Sequence, residues 1–313
     1  MIKRYKFFVA KAFVVVIAGL LAAPLYAQLP SHLRDYPLAS LQKSGDLIAP
    51  FFDGWIANED GSVTMIFGFL NRNTEEIVDI PLGPNNFIEP KQFDGVQPTH
   101  FPVYDLPGFV GKRDRGAFAV TVPANMAGTE VVWTLKHAGH SYSIPGRAKS
   151  PAYEMSKGEA SLGSLSPAIR FDAKGPESTD RVGIYATKVK AKVGVPVTLS
   201  ALVQDRGNRA KYEEIKNPFF PVGTTWILHQ GPEGARPTFD PKAISGRERA
   251  KQSQNSEGGA DFSGWITEKT QAIFPIPGDY VVRIRVDNFA AEDSQLDNQC
   301  CWSNAYIPVT VTP

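Results

Sequence analysis

The 313-residue sequence has little cysteine, methionine and histidine, and it lacks the local motifs of the common enzyme classes. It contains two cysteines, four methionines and five histidines. It has no Gly-x-Ser-x-Gly, His-Glu-x-x-His, Walker A, Gly-x-Gly-x-x-Gly or EF-hand pattern. These absences exclude the proteins that such motifs identify, although a pair of catalytic carboxylates would leave no local pattern. The sequence therefore names no reaction.

The N-terminus has the three parts of a secretory signal peptide. Its basic front consists of Lys3, Arg4, Lys6 and Lys11. An apolar run over residues 13–23 follows, and Ala27 provides a cleavage site before Gln28. An uncleaved anchor is the alternative, but this run is shorter than the roughly 18 residues that a spanning helix needs. We therefore predict a cleaved signal peptide, residues 1–27, and a secreted or periplasmic protein.

The chain beyond residue 27 lacks both a basic patch and a long apolar run. It carries 29 lysines and arginines against 32 aspartates and glutamates. A nucleic-acid-binding protein would need a basic stripe, and none is present. We expect no nucleic-acid partner and no transmembrane segment in the mature chain, whereas an envelope protein or a glycan remains a candidate partner.

What the sequence does contain is short runs of valine, isoleucine, threonine and aromatic residues between turns rich in glycine and proline. This pattern is typical of β-strands. The Asp60-Gly61 pair between two such runs predicts a hairpin, because Gly61 can adopt a positive φ. Residues 83–86 and 97–102, including His100, are interpreted as loops. No helical period is found in residues 46–146, so this region is predicted to be one all-β domain.

The second half of the mature chain repeats the alternating pattern. Tyr280, Val282, Ile284 and Val286 are predicted to face the core, and Arg283, Arg285 and Asp287 to face outward. A core tryptophan and a tyrosine that bonds back to the preceding turn are typical of immunoglobulin-like sandwiches. Trp226 and Tyr280 occupy those positions, while His229 is interpreted as a loop residue. A phase change between Ala186 and Val189 predicts that the first strand crosses between sheets there.

The fold class predicted is thus all-β, with two immunoglobulin-like β-sandwich domains after the signal peptide. The predicted segments are an extended lead-in (28–50), an N-terminal sandwich (51–146), a linker (147–178) and a C-terminal sandwich (179–313) with polar insertions at 206–223 and 241–264. The insertions are too long for hairpin turns.

Two resemblances follow from these residues. The run Pro277–Ile284 resembles the late strands of PKD-type immunoglobulin-like modules, although Trp226–Gly231 replaces their Trp/Tyr-x-Phe-Gly-Asp-Gly run. The mature chain is also similar to a group of uncharacterised exported bacterial proteins. The shared signatures are Gly54-Trp55, Asp60-Gly61-Ser62, Asn71-Arg72-Asn73, Gly83-Pro84-Asn85-Asn86, Gln97-Pro98-Thr99-His100-Phe101 and Cys300-Cys301-Trp302. The resemblances imply fold and export, and the PKD-type module implies surface adhesion or spacing.

Candidate ligand sites are few. Asp287, Asp293 and Asp297 crowd the region before the last strand, and such oxygen-rich segments can hold calcium. The alternative is a solvated acidic turn, because the spacing matches no known calcium loop. Trp55, Trp133 and Trp265 are considered as a sugar-stacking surface, although Trp133 lies in an apolar run that predicts a core position.

The only cysteines, Cys300 and Cys301, are adjacent in the sequence. An oxidising compartment favours a disulfide. A vicinal disulfide, a crosslink to another chain and a buried reduced pair are the three alternatives. A vicinal bond would require a tight turn, because neighbouring residues on a strand point to opposite faces.

The leading functional hypothesis is an exported non-catalytic binding or structural protein of the periplasm or cell surface. It rests on two sandwiches without a reaction motif or a cofactor motif. The alternative is an enzyme or accessory subunit acting on cell-envelope or extracellular polysaccharide.

Overall fold

A computed structural model describes residues 41–104, 113–159, 163–211, 221–254, 262–288 and 301–313. Residues 41–313 form one compact unit. The described residues contain seventeen strands and one α-helix, besides short 3-10 turns. The predicted all-β class is therefore confirmed. The predicted signal peptide and most of the lead-in lie outside the described residues.

The first sandwich contains eight strands. They are β1 (Ile48–Ala57), β2 (Val63–Asn71), β3 (Val78–Asp79), β4 (Asn86–Glu89), β5 (His100–Phe101), β6 (Arg113–Val122), β7 (Val131–His137) and β8 (His140–Gly146). One sheet has the order β1-β2-β6 and the other β4-β7-β8, while β3 and β5 form a separate short ladder. The predicted hairpin joins β1 to β2, with Gly61 at φ 79°.

Aromatic side chains fill the core of this sandwich. The ring centroids of Phe118 and Trp133 lie 4.9 Å apart in an edge-to-face arrangement, and Phe67 stacks on Phe118 at 5.3 Å. The indole Nε1 of Trp133 donates to Asn86 Oδ1 at 3.0 Å. Asn86 and His100 were expected in loops, but each begins a short strand. The reason is that Asn86 Nδ2 donates to the backbone oxygens of Ile80 and Pro98 in two neighbouring segments. These bonds satisfy a polar side chain inside the core.

The second sandwich contains nine strands. They are β9 (Ala168–Arg170), β10 (Val189–Lys192), β11 (Val197–Gln204), β12 (Gly223–Gln230), β13 (Thr238–Asp240), β14 (Ala243–Ile244), β15 (Ile266–Ile273), β16 (Gly278–Asp287) and β17 (Trp302–Thr312). One sheet has the order β10-β17-β16-β12-β14 and the other β13-β15-β11-β9. Strand β10 runs parallel to β17, whereas the other neighbours are antiparallel.

The two predicted hallmarks of an immunoglobulin-like sandwich are present here. Trp226 is buried on β12, and Tyr280 is buried at the start of β16. The Tyr280 hydroxyl donates to the carbonyl oxygen of Ile276 at 2.7 Å, which ties the strand to the turn before it. Val282 and Ile284 are fully buried between the sheets.

Three details differ from the sequence-based expectations. The segment 147–178 is more than a linker, because its strand β9 pairs with β11. The predicted crossing between sheets near residue 187 is wrong, because Tyr185 before it and β10 after it both pair with β17. The phase change there is an interruption along one sheet edge. The chain changes sheets earlier, between β9 and β10. The insertion 241–264 contains β14 and helix α1 (Gly246–Gln254).

Helix α1 begins at a capping box that the sequence contains as Ser-x-x-Glu. Ser245 Oγ accepts from the backbone N of Glu248 at 3.2 Å, and Glu248 Oε2 accepts from the backbone N of Ser245 at 2.8 Å. These reciprocal bonds explain why a polar segment forms a helix at this point.

Candidate functional site

The outward face of β16 is buried, although its residues are charged. Arg283 and Arg285 point away from the core as expected, yet only 1% and 3% of their surface is exposed. The first sandwich covers them. We call this contact region the joint and define it by Asp114 on β6, Arg283 and Arg285 on β16, and Trp302 and Asn304 on β17.

A bulge in β6 prepares the first sandwich for this contact. Phe67 pairs with Phe118 and Phe69 with Asp114, so residues 115–117 lie opposite the single residue Gly68. A bulge removes carbonyl groups from the ladder and leaves them in need of other partners.

The three bulge carbonyls receive their hydrogen bonds from the second sandwich. Arg285 Nη1 donates to the oxygen of Arg115 at 3.4 Å, and Asn304 Nδ2 donates to that of Gly116 at 3.0 Å. Arg283 Nη1 donates to the oxygen of Ala117. The irregular backbone of one sandwich is thereby completed by side chains of the other.

Asp114 neutralises the arginines. Its Oδ2 lies 2.6 Å from Arg283 Nη2, and its Oδ1 lies 3.8 Å from Arg285 Nη1. Tyr104 also donates its hydroxyl to Asp114 Oδ2 at 2.8 Å. Burial raises the pKa of Tyr104, and the Asp114 charge raises it further, so this phenol keeps its proton.

The two arginines respond differently to burial. For Arg283, burial favours the neutral form, but Asp114 together with the neighbouring Tyr104 and Tyr306 outweighs it, and the pKa of Arg283 is raised. For Arg285, burial dominates, so its pKa is lowered despite the charges of Asp287 and Asp114. Arg283 is therefore the arginine to which Asp114 is principally coupled.

A tryptophan packs between two guanidinium groups at the edge of the joint. The Trp302 ring lies 4.2 Å from Cζ of Arg181 and 4.4 Å from Cζ of Arg285. Gly116, at φ 54°, lies directly against it. A Cβ on Gly116 would stand 2.7 Å from Trp302 Cζ2, closer than side chains pack. Only glycine combines this backbone angle with this approach.

A second set of bonds joins the loop before β5 to the end of β12. His229 Nε2 donates to the oxygen of Val96 at 2.8 Å, and the backbone N of Thr99 donates to the oxygen of His229 at 2.9 Å. Burial, and after it the charge of Arg283, lowers the pKa of His229 to about 3. His229 was expected in a loop and lies instead on β12, where the neighbouring sandwich makes it inaccessible.

His100, also expected in a loop, lies on β5. Its Nδ1 is 2.7 Å from Asp79 Oδ1. Asp79 Oδ2 is 2.6 Å from Arg236 Nη1 of the second sandwich. Burial favours the protonated form of Asp79, but the hydrogen bonds from His100, Arg236 and the backbone N of Gly234 together outweigh it, and its pKa is lowered. This carboxylate is thus a further ionic contact between the sandwiches.

The predicted calcium ligands are not brought together within the described residues. Asp287 is the last residue of β16 and is fully buried, with its charge acting on Arg285. Asp293 and Asp297 lie outside the described residues. The described part of the chain contains no group of three or more histidine, cysteine, aspartate or glutamate residues placed to hold a metal. Calcium binding stays a prediction.

Cys301 is buried directly before β17 and does not have a free thiol. Its backbone oxygen accepts from Asn288 N at 3.3 Å. Cys300 lies outside the described residues, so the vicinal disulfide stays a prediction.

The three tryptophans considered for sugar binding do not form one surface. Trp133 is in the core with 0% exposure, as its apolar run predicted. Trp265 is half-buried beneath the Arg170 guanidinium, whose Cζ is 4.2 Å from the ring. Trp55 is half-buried and donates its Nε1 to the oxygen of Ser150 at 3.1 Å.

Sequence reasoning missed the joint, although one signal for it exists. Arg283 pairs with Tyr306 and Asp287 with Trp302 in the register of β16 and β17. Paired residues share a face, so two large aromatic residues lie on the face that carries the arginines. Large aromatics on a charged face indicate that another part of the protein covers it.

The fold and the joint together define the class: an all-β protein of two immunoglobulin-like sandwiches. No family model matches the chain, and no curated protein matches it. Among solved structures, it is similar to the D0-D1 domain of intimin, at 10% identity and TM-score 0.25 over 84% of this chain and 97% of that one. It is also similar to domains 4 and 5 of the S-layer protein SbsC, at 11% identity and TM-score 0.21 over 59% and 66%. A third is a protein of unknown function from Porphyromonas gingivalis W83, at 10% identity and TM-score 0.22 over 84% and 99%. Likenesses at these scores carry no argument about function. Among the described residues, no helix has the length and apolar character to cross a membrane.

Proposed function

We propose that the protein is an exported, non-catalytic binding or structural protein of the periplasm or cell surface, and that its two sandwiches act as one rigid body. The observation that carries this proposal is the joint. Asp114 of the first sandwich and Arg283 of the second are both buried and 2.6 Å apart, so neither can separate from the other without leaving a charge unpaired.

The same observation argues against a catalytic role for this cluster. Perturbed pKa values mark either active sites or structural ion pairs. Here Tyr104 and Arg283 both donate to Asp114, and Arg283 also donates to the Ala117 carbonyl oxygen. Asp114 and Arg283 are buried, and Tyr104 is half-buried. The groups that a reaction would need are therefore occupied in holding the sandwiches together.

The test is a pull-down of the chain from Gln28 onward against envelope fractions and glycans, run beside a panel of glycosidic and ester substrates. Retention without turnover is the expected result. Turnover of any substrate would reject the non-catalytic role and favour the alternative, an enzyme or accessory subunit acting on polysaccharide. An Arg283→Met variant in the same pull-down shows whether retention depends on the joint.

A further inference from the structure

A cleft opens on the first sandwich where the edges of its two sheets meet. It lies between β1 and β8 and encloses about 490 Å³, within the range of about 300–1,000 Å³ found for small-molecule sites. We call it the β1–β8 cleft. Its principal lining residues are Phe51, Phe52, Ile144, Arg147, Lys149 and Tyr153.

The floor of the cleft is aromatic and fixed in place. The Phe52 ring lies 5.5 Å from the ring of the core residue Phe67 and 5.8 Å from that of Tyr153. Tyr153 is 51% exposed, so its ring offers a free surface. On the other side, Arg113 holds its guanidinium 3.9 Å above the Phe51 ring and is itself paired with Asp53.

The segment that carries Tyr153 is held at both ends. Trp55 Nε1 donates to the oxygen of Ser150 at 3.1 Å, and the backbone N of Met155 donates to the oxygen of Trp55 at 2.7 Å. Gly54 permits this approach, because a Cβ there would stand 2.6 Å from the backbone oxygen of Tyr153. The cleft is thus formed before any ligand arrives, which reduces the entropy cost of binding.

The charge of the cleft is opposite to the net charge of residues 28–313, which carry 29 basic and 32 acidic residues. Of the residues that the structure describes, the basic Arg147 and Lys149 line it and no acidic residue does. Arg147 uses its Nε for Glu130, and among the described residues neither its Nη atoms nor the Lys149 ammonium makes a hydrogen bond. These donors are suited to a carboxylate, which guanidinium groups bind with charge-assisted hydrogen bonds.

We propose that the β1–β8 cleft binds an acidic oligosaccharide, with sugar rings packed on Tyr153 and Phe52 and a uronate carboxylate at Arg147 and Lys149. The proposal rests on the proposed binding function and names its ligand class. A sugar presents a flat C–H face to the rings and its carboxylate to the bases. An added peptide strand is disfavoured, because Glu154 already pairs with β1 at Trp55.

The experiment is calorimetric titration of the chain from Gln28 onward, which includes the whole compact unit 41–313. Four probes of the same length are used. They are an oligogalacturonate, its uncharged methyl ester, a neutral gluco-oligosaccharide and a sulfated oligosaccharide. We expect binding of the oligogalacturonate that weakens with salt, and at least tenfold weaker binding of the other three.

The variants separate the two parts of the site. Tyr153→Ala should weaken binding about tenfold, the size of a good aromatic contact, while Tyr153→Phe keeps the ring and should bind as the parent does. Arg147→Gln with Lys149→Gln should also weaken binding about tenfold and remove the salt dependence. The control, Lys190→Gln with Lys192→Gln on exposed β10, changes the net charge equally and should have no effect.

Three outcomes would overturn the cleft assignment: no binding of the oligogalacturonate, equal binding of the methyl ester or sulfated probe, or an affinity within twofold of the parent for Tyr153→Ala. Each leaves the wider proposal standing if the pull-down still succeeds. Cleavage of the oligogalacturonate would instead overturn the non-catalytic function.

Discussion

The two faces of β16 are both buried, but they are stabilised by different interactions. One face places Tyr280, Val282 and Ile284 in the apolar core of the second sandwich. The other places Arg283 and Arg285 against Asp114 and the bulge of β6. The first face would be buried in an isolated sandwich, whereas the second is buried only because another sandwich supplies its partners.

The difference shows how one strand can serve two purposes. Apolar burial has no directional requirement and tolerates exchange of similar residues. Buried charges need a partner at a defined distance, so they fix the orientation of the two bodies. The apolar face therefore makes the sandwich stable, and the charged face sets its position.

The largest expected effect follows from removing one charge of the joint. Arg283→Met leaves Asp114 buried without its closest cation, which typically costs about 3–5 kcal/mol of unfolding free energy. Urea unfolding measures this loss of unfolding free energy. The double variant Arg283→Met with Asp114→Leu removes both charges and should recover at least half of the loss. A single variant within about 1 kcal/mol of the parent would contradict the structural role of the pair.

On the opposite face, Ile284→Ala creates a cavity and should cost about 2–5 kcal/mol. The same urea titration gives the value. Because this loss comes from packing, no second substitution at Asp114 should rescue it. If Asp114→Leu restored the lost stability, the residues on the two faces of β16 would be energetically coupled.

The next effect depends on pH. His229 has its pKa lowered to about 3 in the folded protein by burial, against about 6.5 when unfolded. The unfolded chain therefore binds the proton first, so stability is lost as pH falls below 6.5. The slope reaches about 1.4 kcal/mol per pH unit, which gives about 2 kcal/mol at pH 5.

His229→Gln tests this effect, because glutamine can still donate to Val96 but does not titrate. The variant should lose less stability than the parent between pH 7 and pH 5, measured by thermal melts. Parallel curves for the two proteins would show that His229 does not contribute to acid sensitivity.

The smallest effect concerns the hydroxyl that joins β16 to its preceding turn. Tyr280→Phe keeps the ring and removes the 2.7 Å bond to Ile276, and a typical hydrogen bond contributes about 0.5–1.5 kcal/mol. Chemical denaturation should show a loss of this size. Tyr185→Phe, at a side chain that is 52% exposed, serves as the matched control. An unchanged unfolding free energy for Tyr280→Phe would show that the ring holds the strand in place without the hydroxyl.

Local patterns allowed the prediction of the strands that alternate or bracket a tight turn. The β1–β2 hairpin at Gly61, the core positions of Trp226 and Tyr280, and the inward residues of β16 are all as expected. Each depends on neighbours within a few residues, which is the range that sequence periodicity reports.

The joint depends on residues far apart in the chain and could not be predicted in this way. An arginine that alternates with valine and isoleucine looks the same whether water or Asp114 lies opposite it. The bulge of β6 likewise depends on a close approach between residues that are distant in the sequence. A Cβ on Gly68 would clash with the backbone oxygen of Asp114, so only glycine fits opposite the bulge. The short strand β9 lacked the length that a periodic pattern requires.

The bulge of β6 also affects the order in which the contacts of the protein can form during synthesis. Gly116 and Asn304 are 188 residues apart in the sequence, so the N-terminal sandwich is synthesised well before its partner residue. The Gly116 carbonyl oxygen lacks this partner until β17 has been synthesised, because Asn304 lies on that strand. The joint can therefore be completed only when the C-terminal strand is present. A chain cut short before β17 would keep Arg283 and Arg285 but would lack the contacts that Trp302 and Asn304 make with Gly116.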